Sequence, residues 1–485
     1  MGFLDVLFGE PTKNNSEESR REIVLSDKNN YNIRLCLNDN DLSRHLLLLG
    51  EHGSGKTNVF YLIMQQIRQM DYTKMVIFDP KGDYKAAFYK PAFDYLISSA
   101  AVDVAYTSYW NLFREIEFSD YLMSGKKLTM KEIVNSFFEG RKNQSQPFFS
   151  DAAKNLFYMI IAHQMNILWN NNEYIQIQNQ IEAWSKAKGK GISINDLIER
   201  EHVLFETFVS EELNNAKLAI IINNGSLSFY RKLLKEEFPN VFAYLGESGE
   251  DNKAALSVVG EMQAMYFEIF KDTIFEKYEK GKDIAVCNFI NNKGGRLFIE
   301  YDVATASSLG TIYKILVDLA LKTQMSNFIH NQTKCVFILD ELRLMPRLMH
   351  LENGLNFGRS LGVRIIAGLQ SVTQMNEVYG EVFANVILNG FTSLICFSLS
   401  AEAESREYVV KRLSQKGQYE VNIQHYELPV VDERRILQLQ CGQAICKLYN
   451  RQYPFIFHFE EYILQDYDKQ MVKDLYSAFS SEFGY

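Results

Sequence analysis

The chain of 485 residues lacks most of the devices by which a protein staples itself, spans a bilayer or coats a polyanion. Its six cysteines, Cys36, Cys287, Cys335, Cys396, Cys441 and Cys446, are scattered through apolar runs with no CxxC pair. That spacing excludes a disulfide scaffold or a structural zinc knuckle and fits reduced thiols in a cytosolic protein. The eight histidines, His425 among them, show no ligand spacing, so no histidine-held metal site is expected. No run approaches the roughly eighteen consecutive apolar residues that cross a bilayer. The apolar tip Met1 to Phe8 carries an acid and has neither a cationic flank nor a cleavage site, so it is no secretory signal. Basic excess is missing too: a net charge of −9 and a pI near 5.6 exclude a protein basic over its whole surface, though not a local basic channel. There are only eight prolines, no low-complexity tract and no internal repeat. What is left is an ordinary globular composition, 47% hydrophobic and 23% charged, with length for two or three domains.

Within this composition one stretch stands out. Leu46-Leu47-Leu48-Leu49 runs into Gly50-Glu51-His52-Gly53-Ser54-Gly55-Lys56-Thr57 and then into an amphipathic helix placed at Asn58 to Met70. Gly50-x-x-x-x-Gly55-Lys56-Thr57 is the P-loop pattern in its strand-loop-helix setting. Gly50, Gly53, Ser54 and Gly55 turn backbone N–H groups inward at a helix N-terminus and so form an anion cradle. Lys56 reaches the β and γ phosphates of ATP, and Thr57 offers its hydroxyl to Mg²⁺. The bland alternative is a glycine-rich strand-to-helix turn.

Residues 11 to 21 read as a connector, and Glu22 to Leu37 as a strand pair turning at Asn29-Asn30. After the P-loop helix, Met75 to Asp79 is an apolar strand stopped by Pro80-Lys81-Gly82-Asp83, which completes a βαβ unit and implies a parallel sheet. Asp79, at the strand's carboxyl end, is placed to meet the nucleotide or its magnesium water; otherwise it merely caps the turn. From about 120 to 275 the apolar period changes to three and four, giving helices at Met130 to Phe138, Ser150 to Asn170, Ile175 to Trp184, Ile194 to Glu206, Glu211 to Ile222 and Lys253 to Lys277. The loop Ser185 to Gly191, rich in lysine and glycine, is either a solvated connector or a contact for a polyanion.

The sheet resumes at Arg296 to Tyr301, followed by a helix at Ala304 to Met325 and then Cys335-Val336-Phe337-Ile338-Leu339-Asp340-Glu341. A strand apolar on both faces and ending in two carboxylates has the form of a Walker B motif. Asp340 binds Mg²⁺ through water and Glu341 orients and activates the attacking water. Gln370, at the tip of the next strand, stands where a γ-phosphate sensor would. Arg359 precedes that strand, at the edge away from its own nucleotide, and suits a neighbouring subunit's site as an arginine finger; a plain surface arginine is the alternative. Gly390 to Ser398 adds a strand, Ala401 to Leu413 a helix, and Gly442 to Leu448 with Tyr453 to His458 a terminal hairpin.

In these residues the chain resembles the type IV secretion coupling proteins, the TraG/TraD/TrwB kind of conjugative DNA-transfer ATPase, within the FtsK/HerA group. The matching blocks are Ser43 to Thr57, Val76 to Asp83, Trp110-Asn111-Leu112-Phe113, Phe337 to Glu341, Gly358-Arg359-Ser360-Leu361-Gly362, and Gly368 to Met375 with Tyr379-Gly380. The resemblance implies an α/β fold: a RecA-like P-loop NTPase core with a mostly parallel sheet, residues 43–119 and 276–485, an all-helical domain inserted at 120–275, and an N-terminal segment at 1–42. It also implies a homo-hexameric ring around a DNA channel with nucleotide between subunits, and it favours Arg359 as the trans-acting arginine. Family members begin with two membrane-spanning helices, whereas about forty residues precede the P-loop strand here. Anchoring is therefore expected to pass to a separate membrane protein, or the ATPase works in the cytosol. The expected function is a DNA-translocating motor feeding a conjugative apparatus beside a relaxase. The alternatives are a HerA-like ATPase working with a nuclease in DNA processing or anti-phage defence, and a nucleotide-controlled adaptor for protein cargo.

Overall fold

The structure, a computed structural model, describes residues 22–67, 74–100, 103, 105–141, 147–187, 193–247, 252–291, 295–301, 306–331, 333–413 and 431–463. The N-terminal tip, the connector at 11–21, His425 and most of the lysine/glycine loop lie outside them.

The strands in chain order are β1 (Ile23–Ser26), β2 (Arg34–Leu37), β3 (Leu46–Leu49), β4 (Lys74–Asp79), β5 (Asp94–Ile97), β6 (Tyr109–Trp110), β7 (Asp283–Ile284), β8 (Arg296–Glu300), β9 (Cys335–Leu339), β10 (Val363–Leu369), β11 (Ser393–Cys396), β12 (Gln443–Lys447) and β13 (Phe455–His458). Nine of them form one sheet in the order β13-β12-β11-β3-β10-β9-β4-β8-β5. The stretch from β11 to β5 is parallel throughout, and the β12–β13 hairpin closes one edge antiparallel. β1 and β2 pair as the expected antiparallel ribbon, while β6 and β7 make a separate parallel pair.

Both faces of the sheet are buried, which explains why its strands are apolar without alternation. Leu47 and Leu49 of β3, with Val76 and Phe78 of β4, point into one hydrophobic cluster. Their neighbours Leu46, Leu48, Met75 and Ile77 point into a second, packed against Val59, Phe60 and Ile63 of the P-loop helix Lys56–Ile67. The first cluster runs without a break into the helices Met123–Phe137, Pro147–Trp169 and Lys253–Ile269. The helical stretch and the sheet therefore share one core.

The last of these helices stops well short of Lys277. Asp272 takes a left-handed φ of 61°, and Thr273 caps a separate 3₁₀ turn at Ile274–Glu276. An aspartate tolerates that backbone locally, so the helix ends with no glycine or proline to announce it.

The helical stretch also buries a cation. Lys126, fully buried, donates from Nζ to Glu117 Oε1 at 2.7 Å, Glu201 Oε1 at 2.5 Å and the Tyr174 hydroxyl at 3.0 Å. Trp169 Nε1 donates to the second Glu117 oxygen at 2.9 Å. Burial opposes the lysine's charge, but the two carboxylates outweigh it and raise its pKa. Among the described residues no helix is long and apolar enough to cross a membrane.

Candidate functional site

Sheet register brings the motifs to one edge. Leu49 of β3 lies opposite Leu369 of β10, and Ala367 lies opposite Leu339 of β9. Gly50, the Asp340–Glu341 pair and Gln370 therefore leave three adjacent strands on the same side, in the crevice where open parallel sheets bind ligands. A cleft of about 530 Å³ opens there, lined by Gly53, Gly55, Lys56, Thr57, Asp340 and Glu341 and extended by Lys81, Arg343 and Gln370. A larger cavity of about 610 Å³, between Asn135–Gly140 and Arg347–Met349, holds none of these groups.

The loop's course depends on its glycines. A side chain at Gly50 would lie 2.6 Å from Phe397 Cβ, and at Gly55, whose φ is +112°, 3.1 Å from the backbone of Gly442. Gly442 N donates to Ser54 O at 3.0 Å, and the exposed Cys441 places Sγ 3.2 Å from Gly53 O. The turn before β12 thus seats directly on the P-loop. Glu51 ties the other side down by accepting from Ser400 Oγ and Ala401 N, both at 2.7 Å.

Lys56 Nζ donates to the carbonyls of Gly50 at 2.5 Å and Glu51 at 3.0 Å. Burial lowers its pKa, against the pull of Asp340 and Glu341. Asp340 accepts from the Tyr84 hydroxyl at 2.6 Å; burial raises its pKa, opposed by Tyr84 and Lys56. Its Oδ1 lies over Gly368, where a Cβ would come within 2.5 Å, so a glycine there makes room for the carboxylate. Thr57 and Asp340 give the cleft hard oxygen donors of the kind Mg²⁺ takes.

Glu341 holds its backbone at φ 61°, ψ 54°, a left-handed conformation that costs a non-glycine residue about 1–3 kcal/mol. Gln370 Nε2 donates to Glu341 Oε2 at 2.8 Å and Arg343 Nε to Oε1 at 3.2 Å. The sequence expectation brought Gln370 and Glu341 to the same edge; the structure adds that they touch.

Arg359 and Asp79 stand apart from the cleft, the first as expected and the second not. Arg359 is exposed on the 3₁₀ turn Gly358–Leu361 and donates to Asn40 Oδ1 at 3.1 Å. It stands at the entry of β10, a strand about 23 Å long, while Gln370 follows its exit; it does not line its own chain's cleft. Asp79 does not line the cleft either. Fully buried, it accepts from Lys85 N at 2.8 Å and caps the turn it ends, so the expectation that it faces nucleotide or magnesium water gives way to the capping alternative. The reason is the turn itself: Gly82, at φ 73°, leads into the helix Asp83–Phe88, whose N-terminal amides point back at the carboxylate.

Burial pushes the Asp79 carboxyl up to about 6 despite those amides. A carboxyl raised in the folded state stabilises the fold while protonated, and that contribution is lost as pH rises from its unfolded value near 4 through about 6. Asp79→Asn is expected to flatten the stability profile in this window, as read by denaturant midpoints at intervals of pH.

Sequence reasoning missed Tyr84, Arg343 and the Cys441–Gly442 turn. Tyr84 follows the Asp-Pro-Lys-Gly-Asp run and Arg343 follows the acid pair by two, so proximity to a motif was the available signal; the Cys441 turn left none.

Two family models match the chain: the type IV secretion-system coupling protein DNA-binding domain over residues 205–430, and the central domain of helicase HerA over residues 23–235. No curated protein matches it. Among solved structures, conjugative coupling protein TrwBΔN70 in its sulphate-bound trigonal form aligns with a TM-score of 0.61 at 16% identity, covering 95% of this chain and 93% of that one. Plasmid coupling protein TrwB in complex with ADP and Mg²⁺ gives 0.56 at 18%, covering 88% of each. VirB4 of Thermoanaerobacter pseudethanolicus gives 0.52 at 11%, covering 94% and 99%. At these identities the likeness is one of fold. In that shared α/β fold, and in both family matches, the chain resembles the TrwB-like type IV coupling ATPases within the HerA group.

Proposed function

We propose that the chain is an ATP-hydrolysing motor that moves DNA, working as a homo-hexamer beside a conjugative or related transfer apparatus. The observation that carries this reading is the single cleft in which Lys56, Thr57, Asp340, Glu341 and Gln370 meet. Lys56 exchanges the loop carbonyls for the β and γ phosphates. Thr57 and Asp340 would hold Mg²⁺, which supplies charge neutralisation at the phosphates. Glu341 takes the proton of the attacking water, and Gln370, bonded to it, registers the terminal phosphate. Arg359 serves the adjacent subunit's cleft. Residues 43–119 and 276–485 act as the motor core, with 120–275 as a helical module on one face of its sheet.

The match of residues 205–430 to a DNA-binding domain supports DNA as the substrate. The HerA match supports a second reading, the same motor paired with a nuclease in DNA processing or defence; the two separate by whether purified protein captures a relaxase or a nuclease. A separate membrane protein would recruit the ring to the cell membrane in the first case.

Lys56→Ala is expected to weaken ATP binding by roughly 10- to 150-fold, the worth of one hydrogen bond to a charged group, and to remove DNA-stimulated hydrolysis. Titration with a labelled nucleotide and a phosphate-release assay with and without DNA would check both. Hydrolysis indifferent to DNA in the parent protein would sink the motor reading.

A further inference from the structure

Arg343 lies two residues beyond Asp340-Glu341 on the 3₁₀ turn Leu342–Leu344, and 42% of its side chain is exposed. It lines the nucleotide cleft and also the adjoining cavity of about 550 Å³, which is bounded by Glu51, His52 and Gln370. Its guanidinium bonds Oε1 of Glu341 while Gln370 bonds Oε2, so both carboxylate oxygens are engaged. The Glu341 backbone is fixed in its left-handed turn, leaving the long arginine side chain as the part free to move.

We propose that Arg343 is a positioning residue with two partners in this cleft. It holds Glu341 in the arrangement described, and it passes to the terminal phosphate when a nucleoside triphosphate binds, freeing one carboxylate oxygen for the attacking water. This inference rests on the nucleotide reading above. Its physical basis is a competition of anions. The pair meets through one bond at 3.2 Å, with 42% of the arginine side chain and 14% of the glutamate side chain exposed, and such a single, partly solvated contact is held weakly. A terminal phosphate carries more charge than a carboxylate and matches the guanidinium fork with two parallel bonds. The exchange is therefore favourable, and a diphosphate, which lacks the γ group, does not drive it. Arg343 thereby links release of the general base to the presence of the bond to be cleaved.

The test compares dissociation constants for a non-hydrolysable ATP analogue and for ADP across the parent, Arg343→Ala, Arg343→Lys, Glu341→Gln and the Arg343→Ala/Glu341→Gln double variant, with thermal melting as a folding check. Arg343→Ala is expected to weaken the analogue by about tenfold and to change ADP by less than about twofold. Arg343→Lys, which keeps the charge but not the fork, recovers part of the loss. Glu341→Gln tightens the analogue because Arg343 no longer leaves a charged partner, and that gain disappears when Arg343 is already alanine, so the two substitutions are not additive. Equal weakening of both nucleotides with a lowered melting point is the signature of a merely structural role and overturns the proposal. Additive effects at the two positions overturn it as well. Failure of the parent to bind the analogue removes the nucleotide reading and this inference together; tight binding by the parent, with discrimination unaltered in Arg343→Ala, removes this inference alone.

Discussion

Glu341→Gln is expected to lower kcat by about 10²–10⁴ while triphosphate binding stays at least as tight as in the parent, the range spanned by loss of a positioned general base. The amide keeps the shape and can still accept from Arg343, but it takes no proton. Since the side chain sits on a left-handed backbone between Arg343 and Gln370, the substitution changes basicity with little change of position. A single-turnover phosphate-release assay on saturated protein separates this from a binding defect. A kcat within threefold of the parent would remove Glu341 from the chemistry.

The second large effect is on stability and lies away from the cleft. Lys126→Met is expected to destabilise the fold by about 3–5 kcal/mol, because removing one partner from a buried ion network leaves the others uncompensated. Glu117 and Glu201 would then face each other without a cation, beside Tyr174 and Trp169. Burial already holds the Glu201 carboxyl above the usual carboxylate range with Lys126 in place. In the variant the raised Glu201 carboxyl favours folding while protonated, so the defect should shrink as pH falls and widen as pH rises. Chemical denaturation at pH 5 and pH 8 measures this, and a loss equal at both pH values would contradict the account. Adding Glu117→Gln and Glu201→Gln to Lys126→Met, which removes all three charges together, is expected to recover part of the loss.

The contrast between these two sites shows what a sequence displays. The cleft was legible because each of its parts ends a strand that is apolar on both faces, and parallel pairing carries such ends to one edge. Leu46–Leu49, Cys335–Leu339 and Val363–Leu369 announce themselves in this way. The terminal hairpin and the β1–β2 ribbon were legible from short-range turns. Strand β5 was not: Asp94 and Tyr95 break its apolar run, and what makes it a strand is pairing with β8, about 200 residues on. Lys126 was invisible for the same reason, since a lysine within a helix reads as solvent-facing until Glu117 and Glu201 are brought against it from other helices. For Asp79 the sequence leaves two readings open, because apolar strands deliver carboxylates both to ligands and to their own turns, and only the path after Gly82 distinguishes the two. Arg343 beside Glu341 is a matter of side-chain direction, which spacing does not encode.

The seating of the Cys441 turn on the P-loop has a practical use. Of the six cysteines, four are buried and Cys36 is half-buried, while Cys441 is exposed with its sulfur against Gly53 O. Burial also raises the Cys287, Cys335, Cys396 and Cys446 thiols, which makes them slow to react. A maleimide dye added at one equivalent should therefore label Cys441 first and place a fluorophore on the wall of the phosphate-binding loop. Its emission would report arrival and release of nucleotide in real time, in the unaltered sequence and without a radioactive or enzyme-coupled assay.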